Sequence, residues 1–187
     1  NSGDEVLYPN PGYPIYESQV RYQGGVPIPY GYVDTGSGFK IDIDKVISSI
    51  TPKTTALIYN NYQNPVSASS SKEEIELLAK LCIENDLWVL SDDAYYEIRY
   101  SDTPPLSIAA IPGMRERTVI LYTFSKRFAM TGWRIGASVG PKKIMKQITR
   151  LNINDESCTN HFIQCALANT LNGIDAEAKV ILSELKD

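Results

Sequence analysis

Short apolar runs alternate with amphipathic stretches along this chain. That alternation predicts an α/β fold, a mostly parallel sheet flanked by helices. Glu5 to Tyr8 predicts a strand, Pro11-Gly12-Tyr13-Pro14 a turn, and Ile15 to Gln23 a helix that Gly24-Gly25 ends. Val26 to Pro29 fits a proline-marked edge strand. Tyr32 to Gly38, rich in glycine and polar residues, is expected to be loop, followed by a short helix around Asp44 to Ser49. Ala56-Leu57-Ile58-Tyr59 is an apolar run between turn residues and predicts a buried strand. Ser71 with Glu74 three residues on forms a capping box, and Ile75, Leu78, Ala79 and Cys82 share one face of the helix it opens. Leu87 to Leu90, Val119 to Tyr122 and Ile135 to Val139 predict further strands. Lys142 to Leu151 and Cys158 to Leu171 carry helical patterns, and Glu184 to Asp187 ends inside another helix.

Composition changes this picture little. With 187 residues, 43% hydrophobic and 21% charged, the chain has the size and make-up of one globular domain. A net charge of −4 gives no reason to expect nucleic acid or an anionic membrane as partner, and no apolar run approaches a membrane span. Cys82, Cys158 and Cys165, with His161, lack the spacing of a metal site, so reduced thiols and a cytoplasmic location are expected. The chain opens at Asn1-Ser2-Gly3 without Met and enters a strand at once, which fits a piece of a longer protein.

Chemistry concentrates just after the predicted strands. Asn60 and Asn61, Ser91 and Asp92, and Thr123 and Ser125 follow three of them, on the edge of a parallel sheet where ligands bind. Lys126 follows the third, with hydroxyls before it and Arg134 eight residues on. An amine can join an aldehyde as a Schiff base, while a guanidinium and hydroxyls can hold a phosphate. Alone, Lys126 reads as a solvated surface residue, Asp92 as a cap or turn aspartate, and Asn64 as a turn residue before Pro65.

Together the segments resemble the fold-type I pyridoxal-phosphate (PLP) aminotransferases of class I/II. Ser125-Lys126 through Gly132-Trp133-Arg134-Ile135-Gly136 is similar to that family's lysine signature, and Asn64-Pro65 to its Asn-Pro-Thr-Gly motif. Asp92 and Tyr95 resemble its aspartate–tyrosine pair, and Gly3 through Tyr16 the segment that carries its stacking aromatic. The resemblance implies that residues 1–187 are part of the large, PLP-binding domain. It implies pyridoxal 5'-phosphate as cofactor, bound covalently by Lys126, which also moves the proton during the reaction. Asp92 would pair with the pyridine nitrogen, and Tyr95 and Asn64 with the ring oxygen. Thr123, Ser125 and Arg134 would bind the phosphate, and Tyr13 would stack on the ring; Tyr16 is assigned to packing. Substrates would be an α-amino acid and a 2-oxo acid, and the full protein a homodimer.

Val66-Ser67 replaces the family's Thr-Gly, and Tyr62 stands where proline is common; these positions shape the loop more than the chemistry. The family's glycine-rich phosphate loop and carboxylate-binding arginine are not found in this sequence, so weak or absent transamination is expected of this chain alone. The same lysine set also serves C–S lyases, aminocyclopropane-carboxylate synthases and aminotransferase-like regulator domains, and a truncated, non-catalytic module is the remaining alternative. A nucleotide-binding domain fits poorly, because no Gly-x-Gly-x-x-Gly or Walker loop follows any strand.

Overall fold

A computed structural model describes residues 1–100, 104–171, 173 and 175–186. In chain order the elements are β1 (Glu5–Pro9), α1 (Ile15–Tyr22), β2 (Val26–Tyr30), β3 (Tyr32–Asp34), β4 (Phe39–Ile41), α2 (Ile43–Ser49) and β5 (Thr54–Tyr59). There follow α3 (Lys72–Glu84), β6 (Trp88–Asp92), β7 (Thr118–Thr123), α4 (Phe124–Arg127), β8 (Gly136–Val139), α5 (Lys142–Asp155), α6 (His161–Thr170) and α7 (Asp175–Lys186). The final helix expected through Asp187 thus ends at Lys186, Asp187 lying outside the described residues.

Six strands form one sheet in the order β2-β1-β5-β6-β7-β8. All neighbours run parallel except β7 and β8, which are antiparallel. The proline-bearing β2 takes the edge, where its missing N–H donors leave the interior ladders intact. One expectation is corrected. The Tyr32 to Gly38 stretch is not all loop, because Tyr32–Asp34 pairs with Phe39–Ile41 in a hairpin. The turn closes itself: the Gly36 N–H donates to the Asp34 carboxylate at 2.8 Å, and the Thr35 hydroxyl donates to the Gly38 carbonyl at 2.8 Å. Gly36 adopts φ 77° there, a conformation that glycine reaches without steric cost.

α3 forms where its pattern predicts. Ser71 Oγ accepts from the Glu74 N–H and the Glu74 carboxylate accepts from the Ser71 N–H, so two otherwise unpaired donors of the first turn are satisfied. Its Ile75, Leu78, Ala79 and Cys82 are buried against Leu7, Leu57 and Val89 of the sheet, with Ile108 and Met114 closing the cluster. Fully burying each large aliphatic side chain contributes about 1.5–3 kcal/mol. α1 packs through Tyr16 against Tyr8 and Ile58. A separate cluster of Phe124, Ile135, Ile163 and Leu167 seats α6 against the short α4. α6 begins at His161 rather than Cys158 because Asn160 caps it, its side-chain oxygen accepting from the Phe162 N–H at 3.2 Å.

Candidate functional site

Parallel pairing brings the carboxyl ends of β5, β6 and β7 to one edge. Tyr59 lies opposite Ser91, and Asp92 opposite Leu121, so Asn60, Asp92 and Thr123 emerge side by side. All eight residues expected from the sequence line a single cleft of about 310 Å³ at this edge: Tyr13, Asn64, Asp92, Tyr95, Thr123, Ser125, Lys126 and Arg134. The size lies at the small end of ordinary small-molecule sites.

Lys126 sits on α4, a single helical turn. Thr123 caps it, Oγ1 accepting from the Ser125 N–H at 3.1 Å, so this hydroxyl serves the helix as well as facing the cleft. The Lys126 Nζ stands over the Tyr95 ring, 5.3 Å from its centroid, a cation–π contact that joins the turn to the segment after β6. Arg134 has a left-handed backbone, φ 51° and ψ 54°, unfavourable for a residue with a side chain. Its guanidinium donates to the Thr131 carbonyl at 2.8 Å, and both residues line the cleft.

The two adjacent aspartates have different environments. Asp92, the last residue of β6, accepts from the Ala94 N–H at 3.1 Å and, through its other oxygen, from the Tyr16 hydroxyl at 2.5 Å. Burial, and then the charge of Asp92, hold the Tyr16 phenol far above its ordinary pKa, so it remains a donor. Asp93 is buried and does not line the cleft; the Ser91 hydroxyl donates to it at 2.6 Å. Burial pushes its pKa up from the ordinary 3.8 to about 6, against the lowering effect of Ser91.

Buried Asn60 braces the edge. Its side-chain N–H donates to the Asp92 carbonyl at 2.8 Å, and its oxygen accepts from the Asn64 N–H at 3.3 Å. Asn64 itself is exposed on the loop. Tyr13 is 50% exposed and meets the Tyr16 ring edge-on, with centroids 5.9 Å apart, so a face of Tyr13 is free for a flat ligand.

Six further residues line the cleft, Tyr16, Asn60, Ala94, Leu121, Tyr122 and Thr131, of which Asn60 was expected at this sheet edge without a role of its own. Tyr16 is not merely packing, since it holds Asp92. Its spacing of three from Tyr13 was the available signal, as residues three apart at a helix start share a face. Among the described residues no cluster of three or more potential ligands could hold a metal.

An amine, a carboxylate, a guanidinium and an exposed aromatic face line one cleft, a set able to support covalent chemistry on a small, flat, anionic molecule. The comparisons give that class its family. Residues 1–186 match the model described as aminotransferase class I and II, and the chain belongs to that family. It is 37% identical over 168 residues to aromatic-amino-acid aminotransferase 2 of Thermococcus litoralis, covering 90% of this chain and 43% of the relative. It is 37% identical over 169 residues to an aspartate aminotransferase of Pyrococcus abyssi, with 90% and 43% covered. The solved N-succinyldiaminopimelate aminotransferase of Mycobacterium tuberculosis superposes with a TM-score of 0.95 at 30% identity, over 100% of this chain and 48% of that one. The chain thus spans about half the length of the relatives it matches.

Proposed function

We propose that the protein containing this chain transfers an amino group between an α-amino acid and a 2-oxo acid, using PLP held in this cleft. One observation carries the reading: Lys126, Asp92, Tyr95, Asn64 and Arg134, drawn from three segments distant in sequence, line a single cleft at the sheet edge. Its side chains match the groups of PLP one by one: an amine for the aldehyde, a carboxylate to accept from the ring nitrogen, a phenol and an amide for the ring oxygen, and a guanidinium for the phosphate. When bound, PLP supplies an electron-poor ring that accepts the electron pair left as the substrate Cα–H bond breaks.

The chain's residues hold and steer that chemistry. Lys126 would be the covalent anchor for the cofactor's aldehyde carbon and, once freed, would hold and move the proton taken from the substrate Cα. Asp92 would pair with the ring nitrogen, and Tyr16 and the Ala94 N–H keep Asp92 aimed by donating to both of its oxygens. Arg134 would hold the phosphate, assisted by the hydroxyls of Ser125 and Thr123. Tyr13 would cover one ring face and exclude water from it.

The relatives named above act on different amino acids by their names, so the substrate is proposed as that class only. A homodimer is part of the same proposal. Leu151, Ile153, Phe162 and Val180 are 67%, 63%, 63% and 61% exposed, apolar surface suited to a protein contact.

The test is chemical. The full-length protein is mixed with PLP, reduced with borohydride and digested, and the label is expected on Lys126. A label on another lysine, or none, overturns the assignment. Product analysis then separates transfer, which yields an oxo acid and pyridoxamine phosphate, from elimination, which yields pyruvate and ammonia.

A further inference from the structure

Behind the cleft lies a charged cluster that the proposed reaction does not use. Arg127, the residue after Lys126, pairs with Glu97, and Tyr122 donates its hydroxyl to the other Glu97 oxygen. The second Arg127 nitrogen reaches Asp175 at 2.5 Å, and the guanidinium lies 5.0 Å from the Phe128 ring centroid. Arg127 and Glu97 are only 26% and 29% exposed, whereas Asp175 is 73% exposed. Neither Glu97 nor Arg127 lines the cleft; both line a separate cavity of about 450 Å³, and Tyr122 borders the two.

The connectivity gives this cluster its meaning. Lys126 and Tyr95 meet in the cleft, and they belong to two chain segments far apart in sequence. Glu97 is two residues after Tyr95 and Arg127 is one residue after Lys126. The ion pair therefore ties together, on the far side, the same two segments whose side chains meet in front. α4 has one turn, too short to hold its own geometry, because a helical nucleus is unfavourable without outside support. Phe124 anchors it through the apolar cluster, but an apolar contact is non-directional and does not fix rotation about the helix axis. A paired guanidinium and carboxylate do fix it.

We propose that Glu97 and Arg127 are positioning residues, which set the placement of the Lys126 amine relative to Tyr95. This rests on Lys126 being the residue that bonds the cofactor. Removing either partner lets α4 rotate and moves the amine, although neither partner touches the cofactor or the substrate.

The test uses the full-length, PLP-loaded protein and the variants Glu97→Gln, Glu97→Asp, Arg127→Gln, Arg127→Lys, Asp175→Asn and the Glu97→Gln/Arg127→Gln double. Borohydride labelling of the parent protein first checks the underlying reading; a label away from Lys126 sinks that reading, and the inference with it. Given a label on Lys126, Glu97→Gln and Arg127→Gln should keep it. Their kcat should fall about 10- to 100-fold with KM nearly unchanged, the cost of a displacement near 1 Å. The visible circular dichroism of bound PLP, which arises from the fixed asymmetry of its surroundings, should weaken in step. Arg127→Lys, which keeps the charge but loses the fork, should recover part of the loss, and the double variant should be no worse than the worse single. Asp175→Asn should stay within about twofold, since exposed ion pairs count for little. Glu97→Asp keeps the charge and withdraws it by one methylene, so it should give an intermediate loss and serves if a neutral variant does not accumulate. Unchanged kcat and dichroism in Glu97→Gln, Glu97→Asp and Arg127→Gln, with Lys126 still labelled, overturn the inference while leaving the cofactor assignment intact. So does a double variant whose loss is the product of the two singles.

Discussion

The contrast between Asp92 and Asp93 can be measured by replacing the residue that does not face the cleft. Asp93 is 6% exposed and its pKa is pushed up from 3.8 to about 6, chiefly by burial. A folded-state value above the unfolded one means that the native protein binds more protons between those two points. The neutral carboxyl is therefore the form the fold tolerates. Stability linked to this group is fully present below about 3.8 and is lost as pH rises through about 6. The interval corresponds to about 3 kcal/mol as an order of magnitude. Asp93→Asn removes the titration while keeping shape and an acceptor for the Ser91 hydroxyl. Urea unfolding of both proteins from pH 4 to pH 8 gives the variant's advantage at each pH. Taking the difference across pH cancels any fixed cost of placing an amide there. That advantage should grow by about 1–3 kcal/mol from the acid to the alkaline end, most of it between about pH 4 and 6. A flat difference, or one that shrinks as pH rises, refutes the claim that burial dominates at Asp93.

Four further outcomes follow from the same geometry. Lys126→Ala should lose borohydride labelling and slow turnover by at least about 100- to 10,000-fold, the range for a lost general base, measured as single-turnover rates. Arg134→Lys replaces a forked donor by a point charge and should weaken PLP affinity by about 10- to 100-fold in a fluorescence titration, with little change in thermal stability. Tyr16→Phe removes the hydroxyl donor to Asp92 and should lower turnover while the label stays on Lys126; activity equal to the parent would return Tyr16 to a packing role. Ser71→Ala breaks the α3 capping box far from the cleft and should cost about 1 kcal/mol in urea unfolding, leaving kcat unaltered.

Much of the site was legible in the sequence, for a structural reason. In a parallel sheet every strand delivers its following residues to the same edge, so locating β5, β6 and β7 already places Asn64, Asp92 and Lys126 together. The strands were legible because their apolar runs are short and end in polar residues. The Tyr16–Asp92 hydrogen bond was not, since it joins residues 76 apart and depends on how α1 lies on the sheet. The capping role of Thr123 was hidden because Lys126 reads as following a strand directly, while the one-turn α4 is too short to leave a periodic signal. The β3–β4 hairpin was obscured by its composition, polar and glycine-rich enough to pass for loop throughout.

Adjacent residues in this site divide their labour, and the backbone explains why. Successive side chains in an extended segment point to opposite sides. Asp92 lines the cleft and Asp93 is bonded to Ser91 away from it. Just past β5, Asn60 braces Asp92 and Asn64, while Asn61 accepts from the Tyr62 and Ser70 N–H groups and shapes the loop. The pattern persists on α4, where successive residues point about 100° apart: Lys126 lines the cleft and Arg127 meets Glu97 outside it. At the end of β6 and on α4 a polar pair thus supplies one working group and one anchor for the segment that carries it. Shifting the register of β6 by a single residue would exchange Asp92 with Asp93 and present to the cleft a carboxyl that has left its Ser91 partner, while burying one that has left its Tyr16 donor. Deleting one residue within β6 should therefore abolish both PLP binding and cooperative unfolding, whereas a deletion in the exposed Thr35–Gly38 turn should spare the label on Lys126. If the β6 deletion still bound PLP at Lys126, the face alternation would not be what assigns these two aspartates their roles.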